Sequence, residues 1–291
     1  MKTDVRLTSA LTVLTFSLQL AAFADEIKHK FVATDESGQQ LIYVDETNPG
    51  NDWTIPLPGN RDIQLSTEGT VLVSIPSGYR EYSLKDGKLI KEMKAEIQVT
   101  SIVRLKNGNT LLAGDKGIVE LDKDGKTVSF RRQDMGGCFR LLRVTGNGNF
   151  LYTSGQTTIT EMTPEGKEIR TLDLSTLTPE SRKPYFAEEL PDGKFLIATG
   201  YGATLLVLDK DWKLITSYGG KGGTGGITPY FFADAQQLAN GNVVVAHWSG
   251  HARKDSEKAA QAIEFDKSGR IVWSWHDSSR AGSLHGIEII E

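Results

Sequence analysis

The stretch SIVRLKNGNTLLAGDKGIVELDKDGKTVSF, residues 101–130, decides the fold. It alternates short apolar runs with three turns: Asn107-Gly108, a second at Gly117, and Asp124-Gly125. Asn-Gly and Asp-Gly favour the positive-φ conformations that tight hairpin turns require. The stretch therefore predicts four short antiparallel strands joined by three tight turns.

The same order of strands and turns recurs along the chain. Further copies cover residues 65–93, 142–174, 188–220 and 236–275. The glycine of the middle turn returns roughly every 40 to 48 residues, which is the period of four-stranded propeller blades. The middle-turn glycines are Gly78, Gly117, Gly155, Gly202 and Gly250.

The first copy, residues 29–57, supplies only three strands and lacks the innermost one. A matching strand, LHGIEIIE, stands at the other end of the chain as residues 284–291. Pairing the two would close the ring and leave no blade edge open to other chains. The sequence thus predicts an all-β fold: a six-bladed β-propeller over residues 25–291, with the C-terminal strand completing blade one.

A β-sandwich or an open stack of hairpins is the alternative, but neither requires a repeat divided between the two termini. No segment has sustained helical periodicity, and only residues 255–262 have a helix-forming composition.

Composition restricts the function classes. The formal net charge of −4 argues against a nucleic-acid partner, which would need a basic surface to neutralise phosphates. The single cysteine, Cys138, excludes a disulfide framework and a thiolate-rich metal site. No stretch beyond the N-terminus is long and apolar enough for a membrane span. We expect a monomer whose partner is a small molecule or a protein.

The N-terminus has the pattern of an export signal. Lys2 and Arg6 precede an apolar run, and Ala22-Phe23-Ala24 is an A-x-A cleavage site. The sequence predicts a signal peptide over residues 1–24, cleaved after Ala24, and a periplasmic or secreted protein. A retained N-terminal anchor is the alternative.

Blade six carries a resemblance to known repeats. Its ending, with Asp266, Gly269 and Trp273, is similar to the D-x-x-G-x-x-x-W ending of bacterial PQQ-like and arylsulfotransferase-like propeller repeats. The resemblance implies a propeller fold. The quinone cofactor PQQ is not expected, because blades two to five lack the tryptophan and the quinoprotein dehydrogenases of that class have eight blades. No cofactor is predicted.

The regular pattern breaks in blade six. The loop between its second and third strands, residues 247–261, is much longer than its counterparts, and long loops on rigid scaffolds often carry function. It contains His247, Trp248, His251 and Arg253, and His285 begins the closing strand on the same face. Two or three of the imidazoles of His247, His251 and His285 could bind a divalent metal, or one of them could act as a catalytic acid or base. A loop that only packs over its neighbours is the alternative.

The same face receives the starts of the inner strands. Arg61, Arg140 and His285 occupy equivalent positions there, and Asp234 shares that position in blade six. Arg61, Arg140 and His285 could converge on an anion. Tyr185 and Tyr230 enter the same rim and could stack on a ring or sugar, although packing between blades would equally explain them.

The sequence supports three hypotheses about function. The first is a binding propeller that holds a small molecule or protein at the channel mouth, largely through the blade-six loop, with Arg61, Arg140, Tyr185, Tyr230, Asp234, Trp248 and Arg253 as binding residues. The second is a hydrolase, lyase or transferase that uses His247, His251 or His285. A purely structural interaction domain is a third hypothesis.

Overall fold

The computed structural model describes residues 26–132, 139–177, 183–223 and 225–291. The predicted signal peptide and Cys138 lie outside these residues. No helix in the described ranges is long and apolar enough to cross a membrane.

The described residues form 24 strands and three short 3₁₀ segments. The first twelve strands are β1 (Lys30–Asp35), β2 (Gln40–Asp45), β3 (Trp53–Pro56), β4 (Ile63–Leu65), β5 (Thr70–Ile75), β6 (Gly78–Ser83), β7 (Leu89–Lys94), β8 (Val99–Arg104), β9 (Thr110–Gly114), β10 (Gly117–Leu121), β11 (Thr127–Arg132) and β12 (Leu142–Val144). The others are β13 (Phe150–Thr153), β14 (Thr158–Met162), β15 (Glu168–Asp173), β16 (Phe186–Glu189), β17 (Phe195–Ala198), β18 (Thr204–Leu208), β19 (Leu214–Gly219), β20 (Phe231–Gln237), β21 (Val243–Trp248), β22 (Ala262–Phe265), β23 (Ile271–Trp275) and β24 (Leu284–Ile289). The 3₁₀ segments are Pro49–Asn51, Leu174–Thr176 and Arg253–Lys258.

These strands form six four-stranded antiparallel sheets, which are the six blades predicted from the repeats. Blade one has the order β24-β1-β2-β3, so the last strand of the chain is its innermost strand. Phe31 is paired with Ile289 and Ala33 with Ile287. The predicted closure of the ring is therefore confirmed.

The turn between the first and second strands shows why the repeat folds this way. In blade three, Asn107 Oδ1 accepts a hydrogen bond of 3.0 Å from the Asn109 amide, and Gly108 has a φ of 87°. The Asn109 side chain then donates to Glu120 on the third strand at 2.6 Å. One Asn-Gly-Asn triplet therefore both closes the hairpin and ties it to the next strand.

The core lies between neighbouring blades. The middle strands are almost completely buried; β5, β9 and β21 have no exposed residue. Outer strands alternate, and Ile90 and Phe130 remain half exposed. Burial decreases toward the outside because neighbouring blades cover both faces of the middle strands, whereas the outermost strand of each blade faces water.

The helix-forming composition of residues 255–262 produces only the 3₁₀ segment Arg253–Lys258. Asp255 accepts a hydrogen bond from the Ala252 amide at 3.0 Å, which holds the start of this turn. Ala262 instead begins β22, so pairing with β21 and β23 ends the helical turn.

Candidate functional site

A cavity of about 250 Å³ lies at the end of the channel where the inner strands begin. Four of the predicted cationic and aromatic residues line it with His251 and His285, and blades one, two, four, five and six contribute to its walls. The lining residues are Arg61, Arg140, Gly155, Lys183, Pro184, Tyr185, Tyr201, Phe231, Trp248, His251 and His285. We call this the mouth cavity.

Arg61 is held between two buried polar residues. The Asn60 amide donates to the carbonyls of Asp35, Gln40 and Leu57 at 2.6 to 3.3 Å, which anchors the chain before the arginine. Asp62, after it, accepts the Ile102 amide at 2.9 Å. Because both neighbours are fixed, the Arg61 backbone is fixed at the cavity rim. Its guanidinium lies beside the Tyr185 hydroxyl.

Arg140 and Tyr185 are positioned together by Thr153. The Thr153 carbonyl accepts the Arg140 amide at 2.7 Å, and its hydroxyl donates to the Tyr185 carbonyl at 2.6 Å. Blades four and five are therefore connected at the rim by one side chain. Burial raises the pKa of the Tyr185 hydroxyl, although the charge of Arg61 and its hydrogen bond act in the opposite direction.

His285 sits at an irregularity in the closing strand. The pairing of β24 with β1 shifts register there, from Asp35 opposite Leu284 to Thr34 opposite Gly286. Such a bulge redirects a side chain, and His285 lines the cavity. Its Nδ1 is buried with no hydrogen-bond partner among the described residues. Burial lowers the pKa of His285 to about 3, and nearby Arg61, His251 and Arg140 contribute, so the imidazole is neutral at physiological pH.

Glu36 organises the side of the cavity formed by the long loop. This residue follows β1, in the turn of blade one. Its Oε2 accepts a hydrogen bond of 2.9 Å from the Trp248 indole, and its Oε1 is 3.0 Å from His251 Nδ1. One carboxylate thus orients two cavity residues across the junction between blades one and six.

The aromatic side chains form a continuous wall. Phe231 is at its centre, with ring centroids 5.2 Å from Tyr185, 4.8 Å from Tyr201 and 5.4 Å from Trp248, all edge to face. His285 lies 5.9 Å from Trp248. The cations Arg61 and Arg140, from blades two and four, bring positive charge to the same cavity.

Three predicted site residues lie outside the mouth cavity. Both nitrogens of His247 are used by the backbone: Nε2 accepts the Tyr230 amide at 2.8 Å, and Nδ1 donates to the Ala260 carbonyl at 2.6 Å. His247 is fully buried, and burial lowers its pKa. Tyr230 is exposed, 6.0 Å from the Trp248 ring. Arg253 donates to the Ser279 carbonyl at 3.0 Å and packs the loop.

Asp234 is also placed elsewhere, in the channel. A second cavity, of about 540 Å³, is lined there by Asp234, Glu188, Glu288 and Arg143. Arg143 binds both oxygens of Asp62 at 2.9 and 3.0 Å and lies 3.8 Å from Asp234. Burial raises the pKa of Asp234 to about 7, although Arg143 acts against this.

The three candidate metal ligands do not form a ligand set. His247 is occupied by backbone groups, and His251 is hydrogen-bonded to Glu36. Among the residues with described placement, no group of three or more His, Cys, Asp or Glu side chains is arranged to hold a metal ion.

Sequence reasoning missed Glu36, Lys183 and Tyr201. Glu36 and Tyr201 follow the second innermost strands of blades one and five, the same topological position as His251 in blade six. Comparing this turn across all blades would have found them. Lys183 precedes β16, as Arg61 precedes β4.

No family model matches the sequence, and no curated protein matches it. Solved structures do match. A protein of unknown function from Bacteroides caccae is 21% identical, with a TM-score of 0.75 over 91% of this chain and 100% of that one. Virginiamycin B lyase from Staphylococcus aureus is 14% identical, with a TM-score of 0.56 over 91% and 89%. A chain of a nidogen–laminin complex is 13% identical, with a TM-score of 0.64 over 90% and 98%.

Identities this low establish a common propeller fold and no common function. The finer resemblance to PQQ-like and arylsulfotransferase-like repeats stays a prediction from the sequence.

Proposed function

We propose that this propeller binds a small anionic molecule in the mouth cavity. The observation that carries the proposal is that Arg61, Arg140 and Lys183 line one cavity. Within the described ranges, none of the three forms an ion pair with a carboxylate, whereas Arg104, Arg143 and Arg170 each do. Unpaired cations that meet in a partly enclosed space favour a negatively charged ligand.

The dimensions favour a small molecule over a protein partner. The cavity is concave and holds about 250 Å³. Protein interfaces usually need about 800 Å² of surface on each partner. The export signal predicted at residues 1–24 would place this activity in the periplasm or outside the cell.

An enzyme is the second candidate. His251 Nδ1 lies 3.0 Å from the Glu36 carboxylate, an arrangement that leaves Nε2 to exchange a proton. A hydrolase built on this pair would turn over a panel of 4-nitrophenyl esters and lose that activity in His251→Gln. The binding function needs no such turnover. His285 suits catalysis less well, because its pKa of about 3 is far from neutrality.

The test is a titration of sulfate, acetate and benzoate at constant ionic strength, followed by the unfolding temperature and by calorimetry. At least one anion should bind the wild type, and the double variant Arg61→Gln/Arg140→Gln should weaken it about 10-fold or more, because charge-assisted hydrogen bonds are lost.

The matched control is Arg80→Gln/Arg270→Gln. These two arginines lie outside the cavity, in pairs with Glu92 and Asp266. Affinity should be unchanged in this control. Equal loss in both double variants, or no binding of any anion by the wild type, would contradict the proposed function.

A further inference from the structure

We infer that the ligand of the mouth cavity is a monocyclic aromatic carboxylate, with its carboxylate toward Arg61 and Arg140 and its ring against Tyr185, Phe231 and Trp248. This inference rests on the proposed function and specifies its ligand class. Three features of the cavity carry it: the hydrogen-bonding character of its polar groups, the aromatic wall, and its size.

The cationic groups that line the mouth cavity are hydrogen-bond donors. Arg61, Arg140 and Lys183 can only donate. His285 is neutral, and its buried Nδ1 has no partner among the described residues. An unpaired buried acceptor is tolerated better than an unpaired N–H, so the proton belongs on Nε2. Nε2–H is then a further donor for the ligand.

The carboxylate that could accept from a ligand is already engaged. Glu36 uses one oxygen for Trp248 and the other for His251. A sugar acid carries several hydroxyl donors, and the side chains of the mouth cavity offer them few acceptors, namely the Tyr185 and Tyr201 hydroxyls and the free Nε2 of His251. Leaving buried donors unpaired costs affinity, so a ligand with acceptors and few donors is favoured. A carboxylate on an apolar ring has this character.

The aromatic wall of the mouth cavity favours a ligand with a ring. Tyr185, Tyr201 and Trp248 surround Phe231 edge to face, with centroids 4.8 to 5.4 Å away. Aromatic faces and edges attract a further aromatic ring at such distances. Glu36 fixes the Trp248 indole, so this wall is ordered before a ligand arrives.

The volume of the mouth cavity favours a ligand with one ring. The cavity of about 250 Å³ corresponds to roughly eight water molecules at about 30 Å³ each. Drug-sized ligands occupy cavities of about 300 to 1,000 Å³. A benzoate-sized molecule fits within this volume.

Calorimetry with five probes tests the inference: benzoate, cyclohexanecarboxylate, glucuronate, sulfate and benzamide. Benzoate should bind at least 10-fold more tightly than each of the others. Arg61→Gln should weaken benzoate about 10-fold or more. Trp248→Leu should reduce the preference for benzoate over cyclohexanecarboxylate several-fold.

Trp248 is buried, so Tyr201→Leu provides a second variant at a half-exposed site, and it should reduce the same preference. Trp53→Phe, in the outer strand β3, is the aromatic control and should leave the preference unchanged.

The outcomes separate this inference from the proposed function. Arg61-dependent binding of sulfate, glucuronate or cyclohexanecarboxylate as tight as that of benzoate would overturn the aromatic-carboxylate class and leave the anion site standing. Benzamide binding as tightly as benzoate would overturn the role of the carboxylate. Binding of none of the five would overturn both proposals.

Discussion

The Asp62–Arg143–Asp234 group shows how one residue's environment sets its charge. The Asp62 carboxylate accepts hydrogen bonds of 2.9 to 3.0 Å from the Ile102 amide and from both terminal nitrogens of the Arg143 guanidinium. Asp234 has the Ile287 amide at 3.1 Å and the guanidinium only at 3.8 Å. Arg143 therefore belongs mainly to Asp62, and Asp234 takes up a proton more readily.

The protonation of Asp234 should make the stability of the protein depend on pH. Burial raises the folded-state pKa of Asp234 to about 7, from 3.8. Between these two pH values the folded protein holds a proton that the unfolded chain releases, so stability falls as pH rises through the window. Asp234→Asn keeps the acceptor for Ile287 and removes this dependence. Its stability relative to the wild type should rise by about 2–4 kcal/mol from pH 4 to pH 8.

Urea denaturation across that pH range measures the effect. Asp124→Asn, in an exposed turn of blade three, is the control and should run parallel to the wild type. Parallel curves for the wild type and Asp234→Asn would show that Asp234 is ionised throughout.

At this scale the sequence predicted positions better than roles. It placed Arg61, Arg140 and His285 at equivalent strand starts, and all three line one cavity. It could not tell His247 from His251. The difference depends on backbone groups of Tyr230 and Ala260 that reach His247 only in the folded chain. Asp234 lies in the channel because β20 shifts register between Phe232 and Ala235.

At the scale of elements, a buried or half-buried glutamate on the third strand recurs from blade to blade. Glu120, Glu161 and Glu264 each accept a hydrogen bond of 2.6 to 2.8 Å from an Asn side chain of the preceding hairpin. In blade six the second partner comes from blade one, because His29 Nε2 lies 2.7 Å from Glu264. This pair joins the two blades that close the ring.

Replacing His29 tests how much this pair contributes to stability. Burial raises the pKa of Glu264, but the hydrogen bonds from His29 and Asn242 outweigh it and the pKa is lowered overall. Ionised Glu264 therefore stabilises the fold above its unfolded pKa, and this contribution is lost as pH falls. His29→Leu should lower the free energy of unfolding by about 2–4 kcal/mol at pH 7 and by less at pH 4.

The double variant His29→Leu/Glu264→Gln is the matched control. It should recover part of the loss at pH 7, because the neutral amide leaves no unpaired charge in the core. Equal losses in the single and double variants at pH 7, or a loss for His29→Leu that is undiminished at pH 4, would contradict this account. Urea titrations at the two pH values supply the comparison.

The elements themselves were largely predictable. Asn-Gly and Asp-Gly turns at regular spacing identify hairpins, and their local geometry needs little tertiary context. The register shifts in β8, β20 and β24 were not predictable, since they depend on contacts with neighbouring blades. One of these shifts contains His285, so part of the site depends on geometry that the local sequence does not encode.

At the scale of the whole molecule, blade one depends on the last eight residues. Leu284, Ile287 and Ile289 are buried, and β1 relies on β24 for its inner hydrogen bonds. Burying each of these side chains contributes about 1.5–3 kcal/mol, so together they approach the 5–15 kcal/mol total stability of a typical domain.

A chain that ends at Ser283 should therefore lose its cooperative thermal transition, as followed by circular dichroism and calorimetry. A chain that ends at Ile289 is the control and should melt close to the wild type, because it keeps all of β24. Cooperative melting of the shorter chain near the wild-type temperature would show that the ring does not need this strand.

Charge is also distributed at this scale. The mouth cavity contains Arg61, Arg140 and Lys183, whereas the channel contains Glu188, Asp234 and Glu288 around Arg143. Composition alone, with a net charge of −4, hides this division. An anion attracted to the mouth would meet a less favourable potential further along the axis.

The mouth cavity lies beside the junction where β24 pairs with β1 and closes the ring. Glu36 follows β1 of the first blade, while His285 lies on β24, the strand that completes that blade. A molecule bound across this seam would favour the closed ring over a frayed one by mass action. A bound ligand would then slow hydrogen exchange most strongly along β1 and β24. The ligand would therefore stabilise the ring closure that creates its own binding site.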